Sequence, residues 1–100
     1  MIFAKKEKFG QFIRLTEERW QHIIDRHPEI KKHLSKIQST IQNPDIIVKN
    51  RYHQSERYYH KYFERLQNHL IVVIEYKKNF IITAFISRKI KKGEVLWKKL

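Results

Sequence analysis

The sequence predicts an α+β domain in which two N-terminal helices pack on one face of an antiparallel sheet of about four strands. Apolar residues recur every three or four positions through residues 15–42, as they do on one face of a helix. Beyond residue 45 the pattern changes to short runs of β-branched and aromatic residues separated by polar breaks. With 100 residues and no linker or repeat, the chain is predicted to form one domain over residues 1–100.

Two helices are predicted before the sheet, after a short extended lead-in over residues 9–15. The first covers residues 15–27, with Thr16 as its N-cap and Glu17 and Glu18 at its positive end. Pro28 ends or bends it and begins the second helix, which runs to Gln42. The predicted buried positions are Trp20, Ile23, Ile24 and His27 in the first helix and Ile30, Leu34, Ile37 and Ile41 in the second.

The strands are predicted in the second half of the chain. The segments DIIVKN, RYYHKYF, HLIVVIEY and FIITAFIS have strand composition, and YKKNF (76–80) has the length of a hairpin connection between the last two. HLIVVIEY and FIITAFIS are nearly continuous apolar runs, which predicts central strands covered on both faces. A last short strand, GEVLW (93–97), follows the basic segment SRKIKKG.

The charge of the chain predicts a polyanionic partner. Twenty-two Lys and Arg residues oppose ten Asp and Glu, for a net charge of +12. Such a domain concentrates phosphate chains around itself, so nucleic acid is the leading partner class, and an acidic protein is also compatible. There is no cysteine and no run of about 18 apolar residues. The expectation is a cytoplasmic protein that does not enter a membrane.

One carboxylate pattern raises the alternative of a metal-dependent nuclease. Asp45 follows Pro44, and Glu75 and Lys77 stand at the end of an apolar strand, as in the loose PD…(D/E)xK pattern. In such sites the two carboxylates hold a metal ion and the lysine orients the attacking water. The structural alternative places Asp45 in a turn and the other two residues beside a hairpin.

Cleavage of RNA without a metal needs a base, an acid and cations for the phosphate. His22 and Arg26 are four residues apart on the first helix, and Arg19 lies one turn earlier on the same face. Histidine suits either proton role near neutral pH. His27 continues the buried stripe and precedes a proline, so it is either a helix cap or a catalytic residue.

Further candidates lie on the predicted strands. Alternation separates Tyr58, His60 and Tyr62 from Tyr59, Lys61 and Phe63, and one of the two faces is expected to stack RNA bases or to pack at a sheet edge. Thr83 has the hydroxyl at the centre of FIITAFIS and is a candidate phosphate contact. Ser87, Arg88 and Lys89 at the end of that strand are predicted to form an anion site, whereas Arg51, His53 and Arg57 lie in a loop and are expected to contribute mobile positive charge.

The sequence as a whole resembles small bacterial, notably cyanobacterial, domains of the phage-type branch of the barnase–EndoU–colicin–RelE nuclease superfamily. The motifs that carry the resemblance are W-x-H-I-x-x-R-H-P-E, N-P-D-x-I, the paired tyrosines and I-T-A-F, spread between Leu15 and Trp97. The order of elements also resembles the barnase/RelE-like fold.

The resemblance implies a metal-independent endoribonuclease without a cofactor, deployed as a toxin and restrained by an acidic antitoxin protein. It implies catalytic roles for His22, Arg26, His27, Tyr59 and Thr83. The predicted RNA-binding residues are Arg19, Arg51, Tyr58, His60, Ser87, Arg88 and Lys89. The barnase type of site uses a glutamate base, which has no evident counterpart here. A non-catalytic module that binds RNA or the ribosome remains the other alternative.

Overall fold

The computed structural model describes residues 1–100 and has a single sheet of seven strands. The elements are β1 (Phe3–Lys6), β2 (Phe12–Leu15), α1 (Glu17–Arg26), a 3₁₀ turn (Pro28–Lys32), α2 (Leu34–Gln42), β3 (Ile46–Lys49), β4 (Glu56–Phe63), β5 (Asn68–Glu75), β6 (Phe80–Ser87) and β7 (Glu94–Lys98). The strand order is β1-β2-β6-β5-β4-β3-β7, and only β2 and β6 pair in parallel. The predicted α+β class is confirmed, and the predicted number of about four strands is wrong.

The strands missed at the N-terminus form the hairpin β1–β2, of which only the second arm was expected to be extended. The hairpin turn is held by Glu7, whose buried Oε1 accepts the backbone N–H groups of Phe9 at 3.0 Å and Gln11 at 2.9 Å. Four-residue strands with exposed basic residues carry too weak an alternation to be recognised as strands.

The helices differ from the prediction at the segment after Pro28. The Thr16 Oγ1 accepts the N–H of Arg19 at 3.1 Å, which caps α1 as expected. The second predicted helix is divided, because the N–H of His33 bonds the carbonyl of Ile30 three residues earlier, and α2 begins only at Leu34. No helix is both long and apolar enough to cross a membrane.

The main core lies between the two helices and one face of the sheet. Neighbouring strands align Tyr59, Val72 and Ala84 on this face, and all three are fully buried in the core cluster. The next row of the sheet, which contains Tyr58 and Thr83, faces the other way because side chains alternate along a strand. The two faces therefore have different roles.

The second face is partly covered by the connection between β6 and β7. β7 pairs with β3 on the far side of the sheet, so residues 88–93, called the crossover segment below, must pass over β5 and β4. Ile71, which lies beside His60 on this face, is fully buried. β5 is covered on both faces as predicted, whereas Thr83 and Phe85 of β6 stay partly exposed.

Candidate active site

A cleft of about 310 Å³ separates α1 from β6, and we call it the α1–β6 cleft. Its lining residues are Arg19, His22, Arg26, His27, Ile82, Thr83 and Phe85. The first four come from α1 and its C-cap, and their spacing of three, four and one residues places them along one side of the helix. The sequence predicted that face, and the structure sets it against β6.

The floor of the cleft is shaped by an irregularity in β6. Val73 of β5 pairs with Thr83 and Ile74 pairs with Ile81, so Ile82 has no partner in the ladder. An unpaired residue of this kind bends its strand and redirects side chains. Ile82 and Thr83 consequently both line the cleft, and the Thr83 hydroxyl is available at its floor.

His27 is both a helix cap and a cleft residue. Its backbone N–H donates to the carbonyl of Ile23 at 2.8 Å and closes α1. Its ring packs on Phe85 with 5.7 Å between ring centroids, and Nδ1 lies 3.8 Å from Glu29 Oε2. The side chain is about one-third exposed, at 34%. His27 can therefore be both a helix cap and a catalytic residue, because its backbone N–H closes the helix while its imidazole lines the cleft.

The crossover segment contributes a cation that was missed in the sequence. The Lys91 Nζ lies 5.3 Å from the centroid of the Phe85 ring and 5.7 Å from that of Tyr58. Both rings attract the ammonium group and hold it near Phe85, which lines the cleft. The sequence showed a basic segment here, but an irregular connection has no periodicity that would distinguish one lysine from the next.

His60 lies beneath the crossover segment and is bonded to its backbone. It is fully buried, its Nε2 accepts the backbone N–H of Lys91 at 2.9 Å, and its Nδ1 lies 3.3 Å from the carbonyl oxygen of Ile46. Burial lowers the pKa of His60 to about 4, so the ring is neutral at pH 7. Neither ring nitrogen is exposed, so the structure offers no accessible polar atom of His60 for the predicted RNA contact.

Tyr59 lies on the opposite face of the sheet from the cleft. Its hydroxyl donates to Glu7 Oε2 at 2.7 Å, and the side chain is fully buried. Burial and the Glu7 carboxylate raise the pKa of Tyr59 above its ordinary value. Four of the five predicted catalytic residues therefore line the α1–β6 cleft, and Tyr59 lies outside it. Glu7, the buried glutamate, is already bonded to three donors and is not exposed to act as a base.

The other predicted RNA-binding residues are spread around the cleft rather than within it. Tyr58 is on the same face of the sheet as the cleft, and its ring contacts the Lys91 ammonium group. The Ser87 Oγ donates to the carbonyl of Lys89 at 2.9 Å and so closes a local turn. Arg88 and Lys89 are exposed beyond β6, and Arg51 is exposed in the loop after β3. None of these lines the α1–β6 cleft.

The carboxylates of the PD…(D/E)xK alternative do not form one site. Asp45 Oδ2 accepts the N–H of Tyr62 at 2.7 Å, near the end of β4. Glu75 is paired with Glu56, at the start of that strand. The six-residue separation along β4 corresponds to roughly 20 Å. No group of three or more His, Cys, Asp or Glu residues in the structure is placed to hold a metal ion.

The model of one protein family, the phage barnase–EndoU–colicin E5/D–RelE-like nuclease 2 family, matches residues 3–98. The match begins at the first residue of β1 and ends at the last residue of β7. The chain belongs to this family. The resemblance seen in the sequence is confirmed, and membership in this family, PBECR2, supports a nuclease activity in general. No curated protein and no solved structure matches the chain.

Proposed function

We propose that this PBECR2 domain is an endoribonuclease that cleaves RNA without a metal ion. The observation that supports it best is the convergence of two histidines, His22 and His27, with Arg26 and Thr83 in one cleft. These are the groups that attack by a 2′-hydroxyl requires. A set of acidic metal ligands is not part of that arrangement.

The reaction assigned to the cleft is an internal transfer. A base takes the proton of the 2′-hydroxyl, the 2′-oxygen forms a bond to the adjacent phosphorus, and the bond from phosphorus to the 5′-oxygen breaks. An acid gives that 5′-oxygen a proton, so the products are a 2′,3′-cyclic phosphate and a 5′-hydroxyl. His22 and His27 share the two proton roles, since imidazole can act in either direction near neutral pH.

The remaining groups of the cleft serve the phosphate. Arg26 and Arg19 offer guanidinium donors in a fork that suits phosphate oxygens, and Lys91 offers a point charge from its position on the Phe85 ring. The Thr83 hydroxyl can donate to a non-bridging oxygen from the floor. Charge that develops on the phosphorane would then be met from three directions.

Cleavage in the presence of EDTA tests this function. The purified chain is incubated with end-labelled RNA and the new ends are mapped; 2′,3′-cyclic phosphates are expected. His22→Ala and His27→Ala should each lower the rate by about 100-fold or more. His53→Ala is the matched control, because His53 is exposed in the β3–β4 loop outside the α1–β6 cleft. Full activity in both cleft variants would refute the site, and activity only after Mg²⁺ is added would refute the metal-free mechanism.

We further propose that the domain acts as a toxin in the cytoplasm and is restrained by an acidic antitoxin protein. Support comes from the net charge of +12, which an acidic partner would neutralise while it blocks RNA. Expression of the chain in a bacterial host should arrest growth, and expression of His27→Ala at the same level should not. Equal toxicity of the two proteins would contradict an arrest caused by catalysis. Tight RNA binding without cleavage would instead favour the non-catalytic module.

A further inference from the structure

We propose that a second cleft beside the active site binds the base of the neighbouring nucleotide and selects against uracil; this rests on the proposed function. The second cleft has a volume of about 700 Å³, and we call it the flanking cleft. It is lined by Arg14, Thr16, Glu18, Arg19, Gln21, His22, Asp25, Phe80 and Ile81. Arg19 and His22 line both clefts. An RNA strand with its phosphate at His22 therefore enters the flanking cleft with its next nucleotide.

The flanking cleft has a surface on which a base can stack. The Arg19 guanidinium lies 5.7 Å from the centroid of the Phe80 ring, and both side chains are partly exposed. Aromatic rings and guanidinium planes are the two surfaces on which proteins stack unpaired RNA bases. Arg14 is fixed nearby, since its Nη2 donates to the carbonyl of Lys78 at 3.1 Å and leaves further N–H groups for a phosphate.

Hydrogen-bond acceptors face this surface from α1. Gln21 Nε2 donates to Asp25 Oδ1 at 2.9 Å, which leaves the Gln21 carbonyl oxygen and Asp25 Oδ2 free to accept. Glu18 adds a second carboxylate. Guanine offers adjacent imino and amino donors on its Watson–Crick edge, while adenine and cytosine offer one amino group. Uracil offers a single imino N–H between two carbonyl oxygens that a carboxylate repels. We therefore expect guanine to bind most tightly, adenine and cytosine less tightly, and uracil most weakly.

Apart from base binding, a negative charge at position 25 is unfavourable for two reasons. It lies next to the last residue of α1, where the helix dipole disfavours a negative charge. It also stands beside the path of a phosphate chain in a domain whose other charges attract one. Asp25 therefore stabilises neither the helix nor a bound phosphate. A hydrogen bond from a base to its carboxylate would be favourable, and this is the role that we assign to it.

The test measures binding of RNA analogues that lack the attacking hydroxyl. Fluorescently labelled 2′-O-methyl uridine hexamers are compared with hexamers in which one residue is replaced by 2′-O-methyl guanosine, cytidine or adenosine. The guanosine hexamer is expected to bind about tenfold tighter than the all-uridine hexamer. Asp25→Asn should reduce this ratio to nearly one. Glu64→Gln removes the same charge from the exposed β4–β5 turn and should leave the ratio unchanged.

The ratio separates base recognition from general attraction, because the loss of one negative charge tightens binding of all hexamers alike. A wild-type ratio near one, or an equal ratio in Asp25→Asn, would overturn the subsite. These hexamers cannot be cleaved by 2′-oxygen attack. A chain that shows the preference but never cuts RNA would refute the proposed function and leave the subsite standing. A chain that cuts RNA without the preference would refute the subsite alone.

Discussion

The imidazole of His60 accepts a hydrogen bond from the backbone N–H of Lys91 at 2.9 Å. The other ring nitrogen lies 3.3 Å from the carbonyl oxygen of Ile46, so the proton belongs on Nδ1 and Nε2 is the acceptor. A neutral, buried histidine on β4 thus holds the crossover segment over the sheet. The same segment places the Lys91 ammonium group 5.3 Å from the centroid of the Phe85 ring, and Phe85 is one of the residues that line the α1–β6 cleft.

Acid should weaken the fold through His60. Its pKa is about 4 in the folded chain, mainly because of burial, against about 6.5 for an ordinary histidine. Between these values the unfolded chain binds the extra proton, so the free energy of unfolding falls as the pH is lowered from about 6.5 to 4. The contribution at stake is roughly 3 kcal/mol at most. Urea unfolding at pH 7 and pH 4 measures it.

The matched variant for that measurement is His60→Gln, whose side-chain oxygen can still accept from Lys91 but does not titrate. Its free energy of unfolding should fall less between pH 7 and pH 4 than that of the wild type. His53→Gln, which changes an exposed histidine, should follow the wild type. Parallel pH curves for His60→Gln and the wild type would contradict the assignment of this acid sensitivity to His60.

Lys91 should contribute to RNA cleavage rather than to stability. A charge-assisted bond to a phosphate is worth about 1.5–3 kcal/mol, so Lys91→Gln is expected to lower kcat/KM by roughly 10- to 100-fold. Lys92→Gln, at the next exposed position of the crossover segment, is the control and should have a far smaller effect. Cleavage kinetics at one ionic strength measure both. Equal losses in the two variants would indicate general attraction of RNA instead of a defined contact.

The helical half of the candidate site was predictable, because spacing along a helix determines which side chains share a face. Arg19, His22 and Arg26 were placed together on that basis, and the structure sets them on one cleft. The opposite half depended on tertiary arrangement. Strand alternation separated Tyr58 from Tyr59 but could not say which face the helices would cover.

The crossover segment shows why the rest of the site could not be predicted from the sequence. Its course follows from the pairing of β7 with β3, a long-range contact that leaves no local pattern in the sequence. The nearly continuous apolar run of β6 predicts cover on both faces, whereas Thr83 and Phe85 of this strand are partly exposed and line the cleft. The burial of His60 was equally hidden, since the bond from the Lys91 N–H to its ring depends on the course of this segment.

Tyr59→Phe should weaken the fold and spare the activity. The substitution removes the donor to Glu7 Oε2 and leaves a carboxylate that is only 3% exposed with one bond fewer. The expected loss is about 1–3 kcal/mol in the free energy of unfolding. Cleavage well below the melting temperature should stay within about twofold of wild type. Tyr62→Phe, on an exposed ring of the same strand, is the control and should change neither quantity. A stable but inactive Tyr59→Phe would show that the hydroxyl takes part in catalysis.

Gly93→Ala should disturb both the fold and the active site, because Gly93 ends the crossover segment against β3. A Cβ atom there would lie 2.1 Å from the Lys49 carbonyl oxygen and 2.8 Å from Val48 Cγ1, which forces the backbone to move. Gly10→Ala is the matched control: Gly10 also has a positive φ, of +92°, but nothing lies within 4 Å of its added Cβ.

We expect Gly10→Ala to lower the free energy of unfolding by about 1 kcal/mol through its backbone conformation alone and to keep its activity. Gly93→Ala should lose about 3 kcal/mol or more, and its folded fraction should cleave RNA more slowly because Lys91 moves with the segment. Thermal unfolding and cleavage rates below the melting temperature measure the two effects. Similar losses of stability in the two variants would mean that close packing on β3 does not hold the crossover segment in place.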